Sequence, residues 1–482
     1  MPRGIHLLNV LACCASAVSV TASISRATEL DACRRPANDI VAENCRPGSP
    51  STEWDVNGAG DWSIQGFASD ISYAAGEAAA FYVKTESPQW RLDIYRMGFY
   101  GGSGARLVAT VRPHARLPQA QPECNAENDT LLYECSNWRE SARWQIPLEA
   151  LSGLYFARAV REDVEDEESK NWRRDNSKYR ADYRHFVEGT NASKPPLHDA
   201  PPHVKRHAYG VNGMGRMQNA LREPRASHIF FVVRDDSRKH DILVQTADTT
   251  WQAYNGYGGY TTYGSFDHPY THGPNARLDE DALQAGQPPR RAFKASYARP
   301  LVTRDYRPVN MPFTAEYPLI RFLEKLGYDV GYTTGVDSSR RGHLIRERCN
   351  VFISVGHDEY WSGEQRRHVE SARDTGVHLM FLAGNNVYWK IRWESEHRTM
   401  VVYKESQSTR KIDPNTTTWT GTFRDARDIN PEGAWPENSL LGSIFTVNAQ
   451  REDPLMVPHA FKALRLWRHT ALAQQALAPS SR

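Results

Sequence analysis

A run of reactive side chains directly follows a pattern typical of a buried strand. Residues 351–355 are apolar and largely β-branched, and residues 356–361 follow as Gly-His-Asp-Glu-Tyr-Trp. In open α/β sheets, ligands bind at the carboxyl ends of the strands. His357, Asp358 and Glu359 offer proton-transfer groups and metal ligands at such an end, so they form a candidate site. The alternative is a polar network that only caps the strand.

Two more predicted strands end in polar, aromatic clusters. Residues 241–244 lead into residues 245–255, and residues 377–382 lead into residues 384–394. Helical spacing over 317–326 and 363–374 separates these strands, and this alternation predicts a mostly parallel sheet. Neighbouring strands would then bring all three clusters to one edge. Candidate substrate contacts at this edge, with core packing or turn formation as the alternative, are Trp251, Asn255, Asn385, Asn386 and Tyr388.

Pattern changes along the chain predict two main domains. Short strand patterns with turn signals indicate an all-β sandwich, prolines mark a linker, and the α/β pattern then runs to the last residue. We therefore expect a signal peptide over 1–22, a disulfide-tied leader over 23–53, a β-sandwich domain over 54–188, a linker over 189–226 and an α/β domain over 227–482. For the α/β domain we expect three layers around a mostly parallel sheet, as in amidotransferases.

The N-terminal residues and the cysteines indicate an oxidising compartment. Arg3, a mostly apolar stretch over 7–22 and the final Val-Thr-Ala resemble a secretion signal. A lipoprotein signal ending at Cys13 is less favoured, because the second position of its motif fits poorly. The remaining cysteines include two closely spaced pairs that predict disulfides in a secreted or periplasmic protein, with free thiols as the alternative: Cys33 with Cys45, and Cys124 with Cys135.

The charge balance argues against two classes of partner. The net charge is only +2, from 59 basic and 57 acidic residues, so nothing favours binding to nucleic acid or to an anionic membrane. After the signal, no stretch approaches the roughly 18 apolar residues that a membrane span needs.

The order and spacing of several motifs resemble one family, that of the large (beta) subunit of N,N-dimethylformamidase. The resemblance covers roughly residues 54–469. The motifs that carry it are residues 243–246, 251–255, 356–361, 384–385, 388–389 and 436–438, with residues 66–70 and 93–102 in the β domain.

This resemblance implies hydrolysis of a small amide at one ferric iron per chain. In the family, two tyrosines and one glutamate hold the iron, with a histidine nearby. Carried over to this sequence, the ligands are Tyr254, Tyr297 and Glu359, and His357 is the acid or base, with Asp358 as a second catalytic candidate. Phenolate and carboxylate are hard oxygen donors, which suit ferric iron.

The resemblance leaves several points open. The family's later Gly-Tyr-Glu-Trp-Asp-like motif is not found, so we expect a C-terminally truncated chain. A homo-oligomer and a small partner subunit both stay open. A covalent thiol mechanism is disfavoured, because Cys349 precedes its strand. The alternative functions are a non-catalytic envelope protein that binds a polar ligand or glycan, and a different metal-dependent hydrolase.

Overall fold

The computed structural model describes residues 32–56, 60–61, 63–163, 226–264, 290–302, 311–313, 315–447, 456–468 and 470–474. The chain divides into two compact units, Met1–Ile444 and Phe445–Arg482. The predicted signal peptide, residues 189–225 of the predicted linker and a dense run of charges over 164–174 lie outside the described residues.

The first unit begins with two short helices. They are α1 (Asp39–Asn44) and α2 (Ser51–Trp54). Asn38 caps α1 by accepting a hydrogen bond from the backbone N–H of Val41. The Cys33–Cys45 disulfide spans α1, and the Cys124–Cys135 disulfide ties a hairpin further on, so both predicted pairings are confirmed.

Ten strands form the β-rich part of this unit. Their bounds are β1 (Ile64–Ala68), β2 (Ser72–Ala74), β3 (Ala78–Thr85), β4 (Trp90–Met97), β5 (Ala105–Val111), β6 (Asn125–Ala126), β7 (Tyr133–Glu134), β8 (Ala142–Gln145), β9 (Gly153–Arg161) and β10 (Ala226–Arg234). A three-stranded sheet, β1-β3-β8, packs against a five-stranded sheet, β2-β10-β9-β4-β5. Strands β6 and β7 form a separate hairpin.

Strand β10 differs from the prediction. Its sequence placed it in the α/β domain, but it pairs with β9 in antiparallel register and with β2 in parallel register. Every residue of β10 is buried. Ile229 and Phe231 point into the sandwich core, and Phe230 and Val232 point into the core beneath the parallel sheet. A strand that is buried on both faces has a largely apolar sequence in any kind of sheet. The sequence of β10 therefore could not show whether it belongs to the five-stranded sheet or to the parallel sheet.

Four parallel strands form the sheet that carries the candidate site. They are β11 (His240–Thr246), β13 (Val330–Thr334), β14 (Cys349–Gly356) and β16 (His378–Ala383), in the order β13-β11-β14-β16. The helices between and after them are α3 (Asp248–Ala253), α4 (Glu316–Lys325), α5 (Gly335–Arg340), α6 (Ile345–Arg348) and α7 (Gly363–Asp374). The predicted parallel sheet is therefore confirmed.

The two faces of this sheet are covered differently. Helix α7 packs on one face through Val369 and Ala372. The other face meets α4, through Ile320 and Leu323, together with residues of the five-stranded sheet such as Phe156. On this second face, part of the covering layer is β-sheet and not helix. The three-layer arrangement therefore stays a prediction.

Local sequence explains where the long helices begin and end. Ser362 and Gln365 form a capping box at the start of α7. Helix α4 ends where Gly327 adopts a left-handed conformation, with φ of 77°. Both helices agree with the predicted ranges to within one residue at each end.

A second small sheet completes the first unit. It has the order β12-β18-β17-β15, with β12 (Lys294–Ser296), β15 (Tyr360–Ser362), β17 (Trp389–Glu394) and β18 (Thr399–Val401), and is followed by α8 (Asn438–Leu441). Short 3₁₀ helices lie at Tyr100–Gly102, Gly342–Leu344 and Glu405–Gln407. The second unit contains α9 (Ala471–Gln474) and 3₁₀ helices at His459–Phe461 and Arg465–Trp467.

Two findings bear on the compartment of the protein. Two disulfides fit an extracellular or periplasmic location. Over the described ranges, the model contains no helix with the length and hydropathy of a membrane span.

Candidate metal centre

The three polar clusters lie at the carboxyl edge of the parallel sheet, as the sequence predicted. Strands β11, β14 and β16 are adjacent and parallel, so the segments that follow them start side by side. Gly356 turns the chain at the end of β14 with φ of 94°, a conformation that favours glycine.

The backbone of Glu359 forms hydrogen bonds with the segments that follow the two neighbouring strands, β11 and β16. Its N–H donates to the hydroxyl of Thr250 on α3 at 3.0 Å. Its carbonyl oxygen accepts from the N–H groups of Tyr388 and Trp389 at 3.0 and 2.9 Å. These bonds position Glu359 independently of its side chain.

Three side chains converge at the carboxylate of Glu359. Tyr254, which caps the end of α3, donates its hydroxyl to Oε2 at 3.2 Å. Tyr263 donates its hydroxyl to Oε1 at 2.5 Å. Nε2 of His357 lies 3.2 Å from Oε2 and 3.4 Å from the Tyr254 hydroxyl. The Glu359 side chain is 2% exposed and that of His357 is 30% exposed, which places His357 at the accessible side of the cluster.

Tyr297 is not part of this cluster, although the sequence analysis proposed it as the second tyrosine ligand. Its hydroxyl donates to Oδ2 of Asp248 at 2.8 Å, in the buried base of the site. Tyr263 takes the place beside Glu359 instead.

Lys404 forms one wall of the cluster. Its Nζ lies 3.1 Å from the centroid of the Tyr263 ring, 4.8 Å from that of Trp389 and 5.3 Å from that of Tyr360. Such ring faces attract a cation. Nζ is buried and has no hydrogen-bond partner within the described part of the chain. The residue also has a left-handed backbone, with φ of 51°, which is unfavourable for lysine.

Burial and charge set the protonation of these groups. Burial lowers the pKa of Lys404 well below its usual value, although the nearby Glu359 opposes this shift. Burial alone would raise the pKa of Glu359, but the hydrogen bond and charge of His357 and the charge of Lys404 outweigh it and lower that pKa. Burial and the Glu359 charge raise the pKa of Tyr263, which keeps its phenol protonated in the absence of an added cation.

Asp358 was proposed as a catalytic residue, but its side chain points away from the cluster into a buried network. Its Oδ2 accepts hydrogen bonds from Nε2 of Gln245 and from the hydroxyl of Ser354, both at 2.7 Å. Burial raises its pKa to about 8. His357 and Glu359 point to the other side of this segment, whose backbone is turned by a hydrogen bond from the Glu359 N–H to the His357 carbonyl at 3.0 Å.

The other predicted contacts fall into two groups. Trp251 and Asn255 are buried structural residues: the Trp251 indole donates to Glu316, and the Asn255 amide bonds to Gln252 and Pro300.

The remaining three follow β16 and lie close to the site by sequence and backbone. Asn385 is half-buried with a left-handed φ of 58°. The Asn386 amide donates to Ser354, while its own oxygen is buried and has no hydrogen-bond partner among the described residues. The half-buried Tyr388 ring packs edge-on against Trp389. None of these observations assigns a substrate contact, so their role stays a prediction.

The donor set around Glu359 fits a hard metal ion. Two phenol oxygens and an imidazole nitrogen lie within hydrogen-bond distance of the Glu359 carboxylate. Such oxygen donors suit ferric iron. Throughout the described ranges, no group of three or more His, Cys, Asp or Glu side chains could hold a metal. A metal at this edge would therefore need the tyrosine oxygens.

Sequence reasoning missed Tyr263 and Lys404. Tyr263 follows Gly258 and Gly259 in an irregular loop where neither helical nor strand periodicity predicts a direction. Its signal was the repeated tyrosines of that loop, Tyr257, Tyr260 and Tyr263. Lys404 has no comparable signal, because a lysine near the end of a strand is usually exposed.

Comparison with known proteins assigns the chain to a family. A comparison with curated proteins finds no match. Residues 91–480, however, match the family described as N,N-dimethylformamidase beta subunit-like, C-terminal, and the chain therefore belongs to that family.

Proposed function

We propose that the protein hydrolyses the carbon–nitrogen bond of a small linear amide at one ferric iron held by Tyr254, Tyr263 and Glu359. The family suggests a dimethylformamidase-like hydrolase in general terms. The observation that carries the more specific proposal is the convergence of two phenol oxygens and His357 on the Glu359 carboxylate.

The side chains of the cluster have separate roles in this proposal. Glu359 stays ionised near neutral pH and is the anchor of the metal-binding set. His357 Nε2 lies 3.2 Å from that carboxylate and is partly exposed, so it is placed to pass a proton to the departing amine. A bound ferric ion would supply Lewis acidity toward the amide carbonyl and toward water.

Lys404 contributes electrostatics to the same cluster. Because burial lowers its pKa, Lys404 can be uncharged next to a metal that carries positive charge. Its stem and the rings of Tyr263, Tyr360 and Trp389 keep water away from one side of Glu359. Exclusion of water from this side lowers the local dielectric constant and so strengthens the electrostatic interactions inside the site.

The subunit composition and the location of the enzyme are also proposals. The family description names a beta subunit, and we infer that a partner subunit or a second copy of the chain completes the assembly. The two disulfides support an extracellular or periplasmic location reached through the predicted signal peptide.

Amine release from a panel of formamides and acetamides by the iron-loaded protein tests the function. We expect turnover of at least one small amide and a loss of at least about 100-fold in Glu359→Gln, since that variant lacks the anionic ligand. Glu364→Gln is the matched control, because Glu364 is exposed on α7 and should leave the rate unchanged. Turnover by Glu359→Gln at the unaltered rate would refute the proposal.

A further inference from the structure

A groove of about 520 Å³ lies apart from the Glu359 cluster, in the first unit. It runs between β1 and β3 of the three-stranded sheet, the β6–β7 hairpin and the β17–β18 connection. Its size is within the range of small-ligand pockets.

The groove lies on the reverse side of the small sheet that borders the metal centre. Ala295 and Met400 are paired on β12 and β18, and both pack in the core with Tyr360 and Trp389. The next pair, Ser296 and Thr399, points the opposite way and lines the groove. A ligand in the groove would therefore be separate from an amide at Glu359.

Among the residues that the structure describes, one charged group in the groove makes no ion pair and no side-chain hydrogen bond. Arg398 lines it, and the neighbouring acids are engaged elsewhere: Asp70 pairs with Arg340, and Glu394 pairs with Lys294 and Arg392. The guanidinium is therefore available to an anionic group, for which it offers a planar fork of donors.

The backbone that presents Arg398 is strained. Ser395, Glu396 and His397 precede it with left-handed φ values of 51°, 54° and 66°. Three consecutive non-glycine residues in this region are unfavourable, and such strain clusters at ligand clamps. The turn is held by a hydrogen bond from the Arg398 N–H to the Ser395 carbonyl at 3.0 Å and by one from the Tyr297 N–H to the Arg398 carbonyl at 2.9 Å.

Two carboxylates of the β6–β7 hairpin also line the groove and remain able to accept hydrogen bonds. Glu134 accepts from the Asn125 amide at 2.6 Å and from the Ser136 N–H at 3.0 Å, and Glu127 accepts from the Thr130 hydroxyl at 2.7 Å. Each carboxylate has about four acceptor positions, so both keep room for hydroxyl donors. These two charges also disfavour a ligand with two negative charges.

An aromatic ring lines the same groove. Tyr82 is half-buried and stacks on Phe67, with centroids 5.1 Å apart and planes 9° apart. Ring stacking on Phe67 fixes the orientation of Tyr82, which then offers a rigid apolar surface of the kind that sugar rings pack on.

We propose that this groove binds an acidic saccharide of the uronic-acid type. The single carboxylate would pair with Arg398, the hydroxyls would donate to Glu127 and Glu134, and the apolar face of the sugar ring would pack on Tyr82. No bond is made or broken in this step, which is binding only.

Titration of the full chain with galacturonate and with neutral galactose, followed by calorimetry, tests this proposal. We expect galacturonate to bind more tightly than galactose and to weaken as salt rises, because the Arg398 contact is an ion pair. Arg398→Gln should weaken galacturonate binding about 10- to 100-fold and leave galactose unaffected. Tyr82→Ala should weaken both.

Two controls keep the result interpretable. Arg143→Gln, which alters an exposed arginine on β8, should bind as the unaltered protein does. Glu359→Ala should also bind galacturonate with unchanged affinity, so that a failure of the amidase proposal can be distinguished from a failure of this one. Absence of galacturonate binding at millimolar concentration, or equal binding by Arg398→Gln with native melting behaviour, would overturn the proposal.

Discussion

Glu359 brings residues from three separate segments into one cluster. Its side chain accepts from two tyrosines that are nine positions apart, and it lies two residues after His357. The sequence predicted Glu359, His357 and Tyr254 because they follow strand patterns or belong to recognisable motifs. Tyr263 was missed because its loop has no period, and Tyr297 was chosen in its place although its hydroxyl bonds to Asp248.

Lys404→Met tests the buried lysine. Methionine matches the length of the stem but needs no solvation, so we expect unchanged or higher stability, by about 1 kcal/mol. We also expect amide hydrolysis to fall about tenfold or more, because the variant removes the amine that lies over the Tyr263 ring and that, when protonated, lowers the pKa of Glu359. Melting temperature and amine release measure the two effects.

Lys84→Met is the control for that substitution, since Lys84 is exposed on β3 and pairs only with an exposed glutamate. A marked loss of stability in Lys404→Met with unchanged activity would show that Lys404 has a structural role alone.

Strand ends and helix caps explain which elements were predictable. The residues of α7 were predicted from local spacing, because the Ser362–Gln365 capping box lies within the helix's own sequence. The parallel direction of β11, β14 and β16 followed from the alternation of strands and helices. The sheet to which β10 belongs depends on contacts with β2 and β9, which are distant in sequence, and local pattern could not reveal it.

Three buried acids beneath the strand ends predict how stability depends on pH. Burial raises the pKa of Asp248 to about 6, of Glu316 to about 7 and of Asp358 to about 8. Unfolded carboxyls titrate near pH 4, so the folded state holds more protons between about pH 4 and 8. The contribution of these groups to stability is therefore complete below about pH 4 and is lost as the pH rises to about 8.

Asp358→Asn should flatten this dependence. The amide keeps an acceptor for Gln245 and Ser354 but cannot ionise, so the slope of unfolding free energy between pH 4 and 8 should decrease by up to about 1.4 kcal/mol per pH unit. Denaturant unfolding across this range measures the slope. Asp374→Asn, an exposed substitution at the end of α7, should leave it unchanged. An unaltered slope in Asp358→Asn would mean that the folded Asp358 ionises normally.

A buried ion pair joins the β-rich part of the first unit to its parallel sheet. Arg96 on β4 and Glu324 on α4 are 1% and 0% exposed and lie 2.8 Å apart. Glu324 also accepts from Asn44 near α1 and from Tyr332 on β13, so four elements meet at one carboxylate. Sequence patterns predicted these elements individually, but they could not predict this junction, since its members are separated by up to 288 positions. The predicted domain boundaries at 188 and 227 stay predictions.

Arg96→Met should destabilise the protein by about 3–5 kcal/mol, because it leaves Glu324 buried without its cation. The double variant Arg96→Met with Glu324→Leu should recover at least about 1 kcal/mol of that loss, since both charges are then absent. Calorimetric melting compares the variants. A double variant that is less stable than Arg96→Met would contradict this explanation.

The visible absorption spectrum and iron content of four iron-loaded proteins test the proposed centre most directly: the unaltered chain, Tyr263→Phe, Tyr297→Phe and Glu359→Ala. We predict about one iron per chain with a phenolate-to-iron band in the unaltered protein and in Tyr297→Phe. The band should weaken by about half or shift in Tyr263→Phe, and both iron and band should be lost in Glu359→Ala. A native spectrum in Tyr263→Phe with loss of the band in Tyr297→Phe would contradict the proposed ligand set, and the absence of iron from the unaltered protein would contradict the metal centre itself.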